Sequence, residues 1–102
     1  MNILNHPTEK VMFRKWNQKP YSVIVIWPGV PANNSGSLCQ SYEHIGQHGG
    51  CYFDGIIRIT SPAKPEEYAE LLHELIAIGY KPVVIKRANR KLIEHRILTL
   101  KP

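Results

Sequence analysis

One segment of the sequence, Pro65 to Gly79, carries a clear helical pattern and limits the folds open to the chain. Pro65 suits the first helical position, where the missing N–H costs no hydrogen bond, and Gly79 suits a C-terminal cap. Between them, apolar residues recur at the spacing of a stripe that faces a core: Tyr68, Leu71, Leu72, Leu75, Ile76 and Ile78. Glu70 and Glu74 lie outside this stripe. We therefore predict one amphipathic helix whose acidic side faces solvent or the basic end of the chain.

The residues before this helix follow the period of two that is typical of strands. From Val11 to Trp16, a strand places Val11, Phe13 and Lys15 on one face and Met12, Arg14 and Trp16 on the other. Turn-forming residues follow at 17–20, and Tyr21 to Trp27 is rich in β-branched and aromatic residues. This order predicts a β-hairpin. Because Val23 to Ile26 is apolar throughout, the second strand is expected to lie centrally in the sheet, and Pro28–Gly29 is expected to end it.

The later segments carry weaker patterns. Residues 37–44 predict a third strand. After a glycine-rich turn, residues 51–60 favour a short strand or an irregular segment, with a helical turn as the alternative. Residues 80–86 predict a strand that returns from the helix, and residues 88–102 fit either a helix or a strand.

Together these patterns predict an α+β fold, in which a small, mainly antiparallel sheet carries the one amphipathic helix on one face. The expected element order is β-β-(β)-(β)-α-β. A chain of 102 residues, 43% of them hydrophobic, supports a single core, so we predict one domain over residues 1–102. Residues 1–9 are predicted as a loose N-terminal lead-in and residues 88–102 as a basic C-terminal extension. A homodimer is possible.

Charge is segregated along the chain, whose formal net charge is +5. Residues 1–20 carry +3 and residues 81–102 carry +6, whereas residues 21–80 carry −4. This asymmetry favours an anionic partner, although the acidic and basic parts can also neutralise each other. No apolar run is long enough to span a membrane and no signal-peptide pattern is present, which predicts a cytoplasmic protein without a membrane partner. In a reducing cytosol, Cys39 and Cys51 are expected to be thiols or ligands.

The stretch from Ser41 to Tyr52 is unlike the core patterns around it. It contains two of the five histidines, three of the seven glycines and one of the two cysteines. Glycines let the backbone approach a bound group closely and expose N–H donors, while imidazole, amide and hydroxyl groups add side-chain partners. We predict that five residues here bind a ligand or partner: Tyr42, His44, Gln47, His48 and Gly49.

Three other interpretations of this stretch stay open. Zinc prefers thiolate and imidazole ligands, so a zinc site could form from Cys39, His44, His48 and Cys51, although their spacing is not that of common structural sites. One cysteine could instead act as a nucleophile with a histidine as its base, but no third, orienting residue is identifiable. The stretch could also be a tight turn whose histidines bond main-chain carbonyls. We expect no cofactor and no catalytic activity.

The basic end of the chain suggests a different partner, nucleic acid. Cationic side chains that meet phosphates release counterions, which gives non-specific affinity. The candidates for this alternative are Lys86, Arg87, Arg90, Lys91 and Arg96. Base stacking on Trp16, Trp27 or Tyr21 would add to it if these rings lie on an exposed sheet face. No helix-turn-helix, zinc-finger or RNP signature accompanies them.

The central stretch also resembles a family of small uncharacterised proteins from phages, plasmids and integrated bacterial elements. The most specific part of the resemblance is Ser-Tyr-x-His-x-Gly-Gln-His-Gly, matched by residues 41–49. The similarity covers about residues 10–90 through further segments: Gly55–Arg58, Pro62–Ala63, Pro65–Tyr68, Ile78–Tyr80 and Val84–Arg87. Cys51 and Lys64 depart from the family's pattern, which commonly has a residue that is not a metal ligand at the first position and a helix-capping Thr at the second.

This resemblance implies a cytoplasmic accessory protein of a mobile genetic element, with a role in host interaction, counter-defence or element maintenance. Combined with the residues themselves, it predicts a protein without catalytic activity. We expect it to bind either a host or element macromolecule or a small anionic ligand, through the stretch from His44 to Gly49.

Overall fold

The computed structural model describes residues 7–44, 47–98 and 100, so residues 1–6 of the predicted lead-in lie outside it. The elements in chain order are β1 (Lys10–Trp16), β2 (Val23–Pro31), β3 (Cys39–Glu43), β4 (Gln47–Cys51), α1 (Phe53–Ile59), β5 (Thr60–Pro62), α2 (Pro65–Ile78), β6 (Val83–Val84) and α3 (Arg90–Leu98). Within the described residues one sheet forms in the order β4-β3-β2-β1-β5, and β6 pairs in parallel with β1. The predicted α+β class with a mainly antiparallel sheet is confirmed.

The predicted hairpin of β1 and β2 forms the centre of the sheet and separates two core layers. Phe13 pairs with Val25 and Met12 with Ile26 in an antiparallel register. Because successive side chains point to opposite faces, Phe13 and Val25 join the layer beneath α2, while Met12 and Ile26 join the layer that contains Ile56 of α1. The apolar run of β2 is therefore covered on both faces, as its sequence predicts.

Strand β2 continues past Pro28–Gly29, so the prediction that these residues end it is wrong. The register with β3 shifts between Trp27 and Pro31, which marks an irregularity in the pairing. Helix α3 supplies partners for the carbonyl groups there: His95 Nδ1 lies 3.0 Å from the Gly29 oxygen, and Arg96 Nη1 donates to the Pro28 oxygen over 3.4 Å. Part of the predicted basic extension thus packs on the sheet.

Residues 53–59 form the short helix α1, and the strand or irregular segment favoured for them is wrong. The helix depends on Arg14 of β1, which is 8% exposed. Arg14 donates from Nη2 to the carbonyl oxygens of Ile57 (3.1 Å) and Thr60 (2.9 Å), and from Nε to Thr60 Oγ1 (2.9 Å). Carbonyl groups at a helix C-terminus lack partners within the helix. In α1 these groups are satisfied by a guanidinium from a residue far away in the sequence.

Helix α2 begins at Pro65 and ends at Ile78, and Gly79 is its C-terminal cap as predicted. Gly79 has φ = 121°, a conformation that residues with a side chain rarely adopt. At the other end Lys64 has no acceptor to cap the helix, and its main-chain N–H donates instead to the Glu67 carboxylate over 2.9 Å. Ile76 and Ile78 are exposed, contrary to their predicted place in the buried stripe.

Strand β4 lies where the sequence predicts a glycine-rich turn, so that prediction is wrong. Gly49 and Gly50, expected in a glycine-rich turn, pair with Ser41 and Gln40 of β3 as part of an antiparallel ladder. Gly50 leaves no room for a side chain, because a Cβ atom there would lie 2.7 Å from the Cβ of Ala32. Among the described ranges, no helix combines the length and apolar character needed to cross a bilayer.

Replacing Arg14 with Met tests the dependence of α1 on β1. Removing the guanidinium leaves the part-buried carbonyl oxygen of Ile57 and the buried one of Thr60 without a charged donor, so we expect the free energy of unfolding to fall by roughly 2–3 kcal/mol. Urea denaturation followed by circular dichroism measures it. Arg58→Met, at an exposed position of α1, is the matched control and should change stability by roughly 0.5 kcal/mol or less. Equal losses in the two variants would contradict this account of α1.

Candidate functional site

A polar cluster joins the end of β3 to the middle of α2. Its centre is the carboxylate of Glu74, which accepts a hydrogen bond from the Tyr42 hydroxyl and contacts His44 Nδ1 through its other oxygen. A carboxylate can only accept, so the His44 ring donates from Nδ1. Tyr42 is 1% exposed, whereas the side chain of His44 is 66% exposed. Glu74, predicted to face outward, is thus turned toward the sheet; we call Tyr42, His44 and Glu74 the Glu74 cluster.

His48 extends this cluster along the edge of the sheet. It lies opposite Tyr42 in the β3–β4 register, and the two rings meet edge to face with centroids 4.6 Å apart. His48 Nε2 lies 3.1 Å from the hydroxyl oxygen of Tyr80. Both histidines are exposed, and these contacts are with side chains rather than the main-chain carbonyls of the tight-turn interpretation.

An open cleft of about 420 Å³ lies beside the Glu74 cluster. Three elements build it: the residues that lead into β2, the end of β3, and the first half of α2. Its lining consists of Tyr21, Ser22, Val23, Glu43, His44, Glu67, Glu70 and Leu71. The volume falls in the range of ligand sites in proteins, and the cleft holds part of the stretch singled out in the sequence.

The cleft is acidic, and two of its carboxylates already have partners. Glu43 accepts from Trp16 Nε1 at 2.8 Å, and Glu67 contacts Lys15 Nζ at 2.5 Å. Hydrogen bonding to Lys15, together with the Lys64 main-chain N–H, lowers the pKa of the Glu67 carboxyl, which keeps this group negative at neutral pH. Glu70 is exposed and has no hydrogen-bond or ion-pair partner within the described part of the chain.

Tyr21 supplies the aromatic side of the cleft. It is 49% exposed, and its backbone has φ = 58°, a left-handed conformation that is uncommon for an aromatic residue. Its main-chain N–H donates to the Gln18 oxygen over 2.9 Å, which closes the turn between β1 and β2. Backbone outliers of this kind cluster at functional sites, and this one sets a ring beside carboxylates.

The five residues predicted to bind a ligand are only partly brought together. Tyr42, His44 and His48 belong to one array, although Tyr42 is buried within it. Gly49 pairs with Ser41 in the ladder, and a Cβ atom there would make only an ordinary contact of 3.5 Å with Ser41 Oγ. Gln47 pairs with Glu43, and its side chain lies outside the described structure, as do residues 45 and 46.

The four candidate zinc ligands are divided between the two faces of the sheet. Cys39 and Cys51 lie opposite each other in the register and pack in the layer that contains Met12. His48 lies opposite Tyr42, which belongs to the other layer, and His44 reaches Glu74 of α2. Because successive side chains of a strand point to opposite faces, the thiols and the imidazoles lie on different faces of the sheet. This arrangement supports neither a zinc site made of all four residues nor a cysteine–histidine pair. Across the described ranges, no three His, Cys, Asp or Glu side chains are arranged to hold a metal ion.

The candidate nucleic-acid residues also divide. Lys86, Arg87, Arg90 and Lys91 are exposed. Arg96 is 7% exposed and donates from Nε to the Gly36 oxygen over 2.8 Å, so it is a structural residue.

The rings proposed for base stacking divide in the same way. Trp27 is 1% exposed and packs against Tyr80, with ring centroids 5.1 Å apart. It is therefore not available to bases. Trp16 is half-buried and donates to Glu43, whereas Tyr21 is exposed.

Sequence reasoning missed the contribution of α2 to the site. Glu67, Glu70 and Glu74 follow one another at intervals of three and four residues, which places their side chains on one side of a helix. This spacing can be seen in the sequence, but the acidic face of a solvent-exposed helix has the same spacing. Tyr21 and Tyr80 gave no comparable signal.

Comparisons of the chain with protein families, with curated proteins and with solved structures found no match. The resemblance to proteins of phages, plasmids and integrated elements therefore stays a prediction.

A double-mutant cycle tests the Glu74 cluster. Tyr42→Phe removes one hydroxyl donor and Glu74→Ala removes its acceptor, so each variant loses the same hydrogen bond. We expect each to lower the free energy of unfolding by about 1–2 kcal/mol and the double variant to lose about 1 kcal/mol less than the sum. Urea denaturation measures this, with Tyr52→Phe at an exposed position as the control. Strict additivity would show that the two side chains do not interact.

Proposed function

We propose that the protein is a non-catalytic binding module whose acidic cleft holds a basic segment of a macromolecular partner. The observation that carries this proposal is the lining of the cleft, which brings Glu43, Glu67 and Glu70 together with His44 and Tyr21. Carboxylates bind ammonium and guanidinium groups through charge-assisted hydrogen bonds. An aromatic ring beside them adds a cation–π contact.

The charge of the cleft supports one of the two ligand classes expected from the sequence over the other. Carboxylates repel an anion, and the Lys15 ammonium offsets only the charge of Glu67, with which it is paired. The exposed Glu70 carboxylate remains for an incoming cation. A lysine or arginine side chain therefore suits the cleft better than a small anionic ligand.

The open shape of the cleft favours a macromolecular partner over a free small molecule. Small-molecule sites usually enclose most of their ligand and are largely apolar, whereas this cleft is open and combines three carboxylates with three apolar or aromatic side chains. A peptide segment of a partner protein can be held by contacts that its neighbouring residues make outside the cleft, so the cleft does not need to enclose it. The prediction that the partner is a host or element macromolecule in the cytoplasm comes from the sequence resemblance and the sequence pattern alone.

Fluorescence anisotropy with a labelled Arg/Lys-rich peptide tests the proposal. Wild-type protein should bind the peptide at low salt, with affinity falling as salt rises, because exposed charges are screened. Glu70→Gln should weaken binding roughly fivefold, equivalent to about 1 kcal/mol. Glu66→Gln changes the same charge on the same helix outside the cleft lining and should change the dissociation constant by less than roughly twofold.

Three outcomes would contradict the proposal. Equal weakening by Glu70→Gln and Glu66→Gln would mean that the peptide senses only overall charge. Tighter binding of duplex DNA or RNA, weakened by Lys91→Gln but unaffected by Glu70→Gln, would assign function to the basic segment at residues 86–91. Concentration-dependent dimerisation abolished by Glu70→Gln would make a second copy of this chain the occupant of the cleft.

A further inference from the structure

Cys39 and Cys51 form a close pair of thiols on the face of the sheet opposite the Glu74 cluster. They are partners in the antiparallel ladder between β3 and β4, and their Sγ atoms lie 3.6 Å apart. Both are free thiols. No part of the proposed cleft function uses them.

The register already provides the backbone geometry of a disulfide. Directly opposed residues in an antiparallel pair have Cα atoms about 4.5 or 5.5 Å apart, and disulfides form across Cα separations of about 4.4–6.8 Å. The sulfur atoms need to approach by about 1.5 Å to reach the bonded separation of about 2.0 Å. Side-chain rotation supplies a movement of this size without a change of strand register.

The charges around the pair favour a reactive sulfur. The hydrogen bond between the two sulfurs lowers the pKa of Cys39, assisted by the positive charge of Arg96. The same hydrogen bond, together with burial, raises the pKa of Cys51. Arg96 is held in place by its bond to the Gly36 oxygen at 2.8 Å. The Cys39 sulfur thus lies beside a fixed positive charge, which favours its thiolate form.

Access to the pair is asymmetric. Cys39 is fully buried, whereas Cys51 is half-buried on β4, at one end of the sheet order. A small oxidant can thus approach Cys51 first, and Cys39 is positioned to react second.

We propose that Cys39 and Cys51 are a redox modification site, at which an external low-molecular-weight disulfide converts the two thiols to an intramolecular disulfide. Cys39 first releases its proton to solvent; Cys51 then attacks the external disulfide while its own proton passes to the Cys39 thiolate, and one small thiolate leaves and takes up a proton. Cys39 then loses its proton and attacks the Cys51 sulfur, which expels the second thiolate. Two electrons pass from the protein to the oxidant, and the product is one disulfide and two small thiols.

The disulfide would close a loop that contains the whole stretch from Gln40 to Gly50. It would fix the far end of β3, whose other end carries Glu43 into the cleft. The inference does not depend on what the cleft binds, because its chemistry and its test concern the thiols alone.

Oxidised glutathione and the full chain test the proposal. After incubation, denaturation and alkylation, the intact protein should be monomeric, carry no alkyl group, and yield a peptide that joins Cys39 to Cys51 on non-reducing digestion. Oxidation should raise Tm by roughly 10 °C. The Cys39→Ser variant should stop at the mixed disulfide on Cys51, which distinguishes ring closure from simple thiol modification.

Two results would overturn the proposal. One is full alkylation of both cysteines after prolonged exposure to oxidised glutathione. The other is recovery of only mixed or intermolecular disulfides from wild-type protein. Circular dichroism before denaturation establishes that the tested protein is folded, so neither result can be attributed to an unfolded sample.

Discussion

The carboxylate of Glu74 joins α2 to the end of β3 and fixes how the helix lies against the strand. It accepts from Tyr42, which is buried in the layer beneath α2, and it holds the exposed imidazole of His44. Because both contacts come from the end of β3, they set how this strand meets the helix. The cleft depends on that arrangement, since its lining includes the end of β3 and the first half of α2, with Glu70 one helical turn before Glu74.

Local pattern was sufficient to predict the elements that need no distant partner. The helix from Pro65 to Gly79 has its own cap and its own apolar stripe, and the β1–β2 hairpin has two segments rich in β-branched, apolar and aromatic residues with a turn between them. The α+β class follows from these two features. The sequence also identified the stretch around His44 as unusual, because no packing pattern requires two imidazoles among glycines.

The features that local pattern could not reveal depend on residues far apart in the chain. Helix α1 needs the guanidinium of Arg14, 43 positions before Ile57, and β2 passes Pro28 because α3 supplies partners for its carbonyl groups. Glu74 looked like a solvent-facing residue because the sequence does not show which strand lies beneath it. The glycines at 49 and 50 indicated a turn, whereas strand pairing with β3 makes them part of the sheet edge.

The tautomer of His44 tests the central claim most directly. A carboxylate accepts only, so the contact with Glu74 requires the neutral ring to carry its hydrogen on Nδ1. Nitrogen-15 NMR of the imidazole distinguishes the two tautomers. His73, which is exposed and directly precedes Glu74 in α2, serves as an internal reference. We predict a dominant Nδ1–H form for His44 that is lost in Glu74→Ala. The same tautomer mixture for His44 and His73 in the wild-type protein would contradict the account.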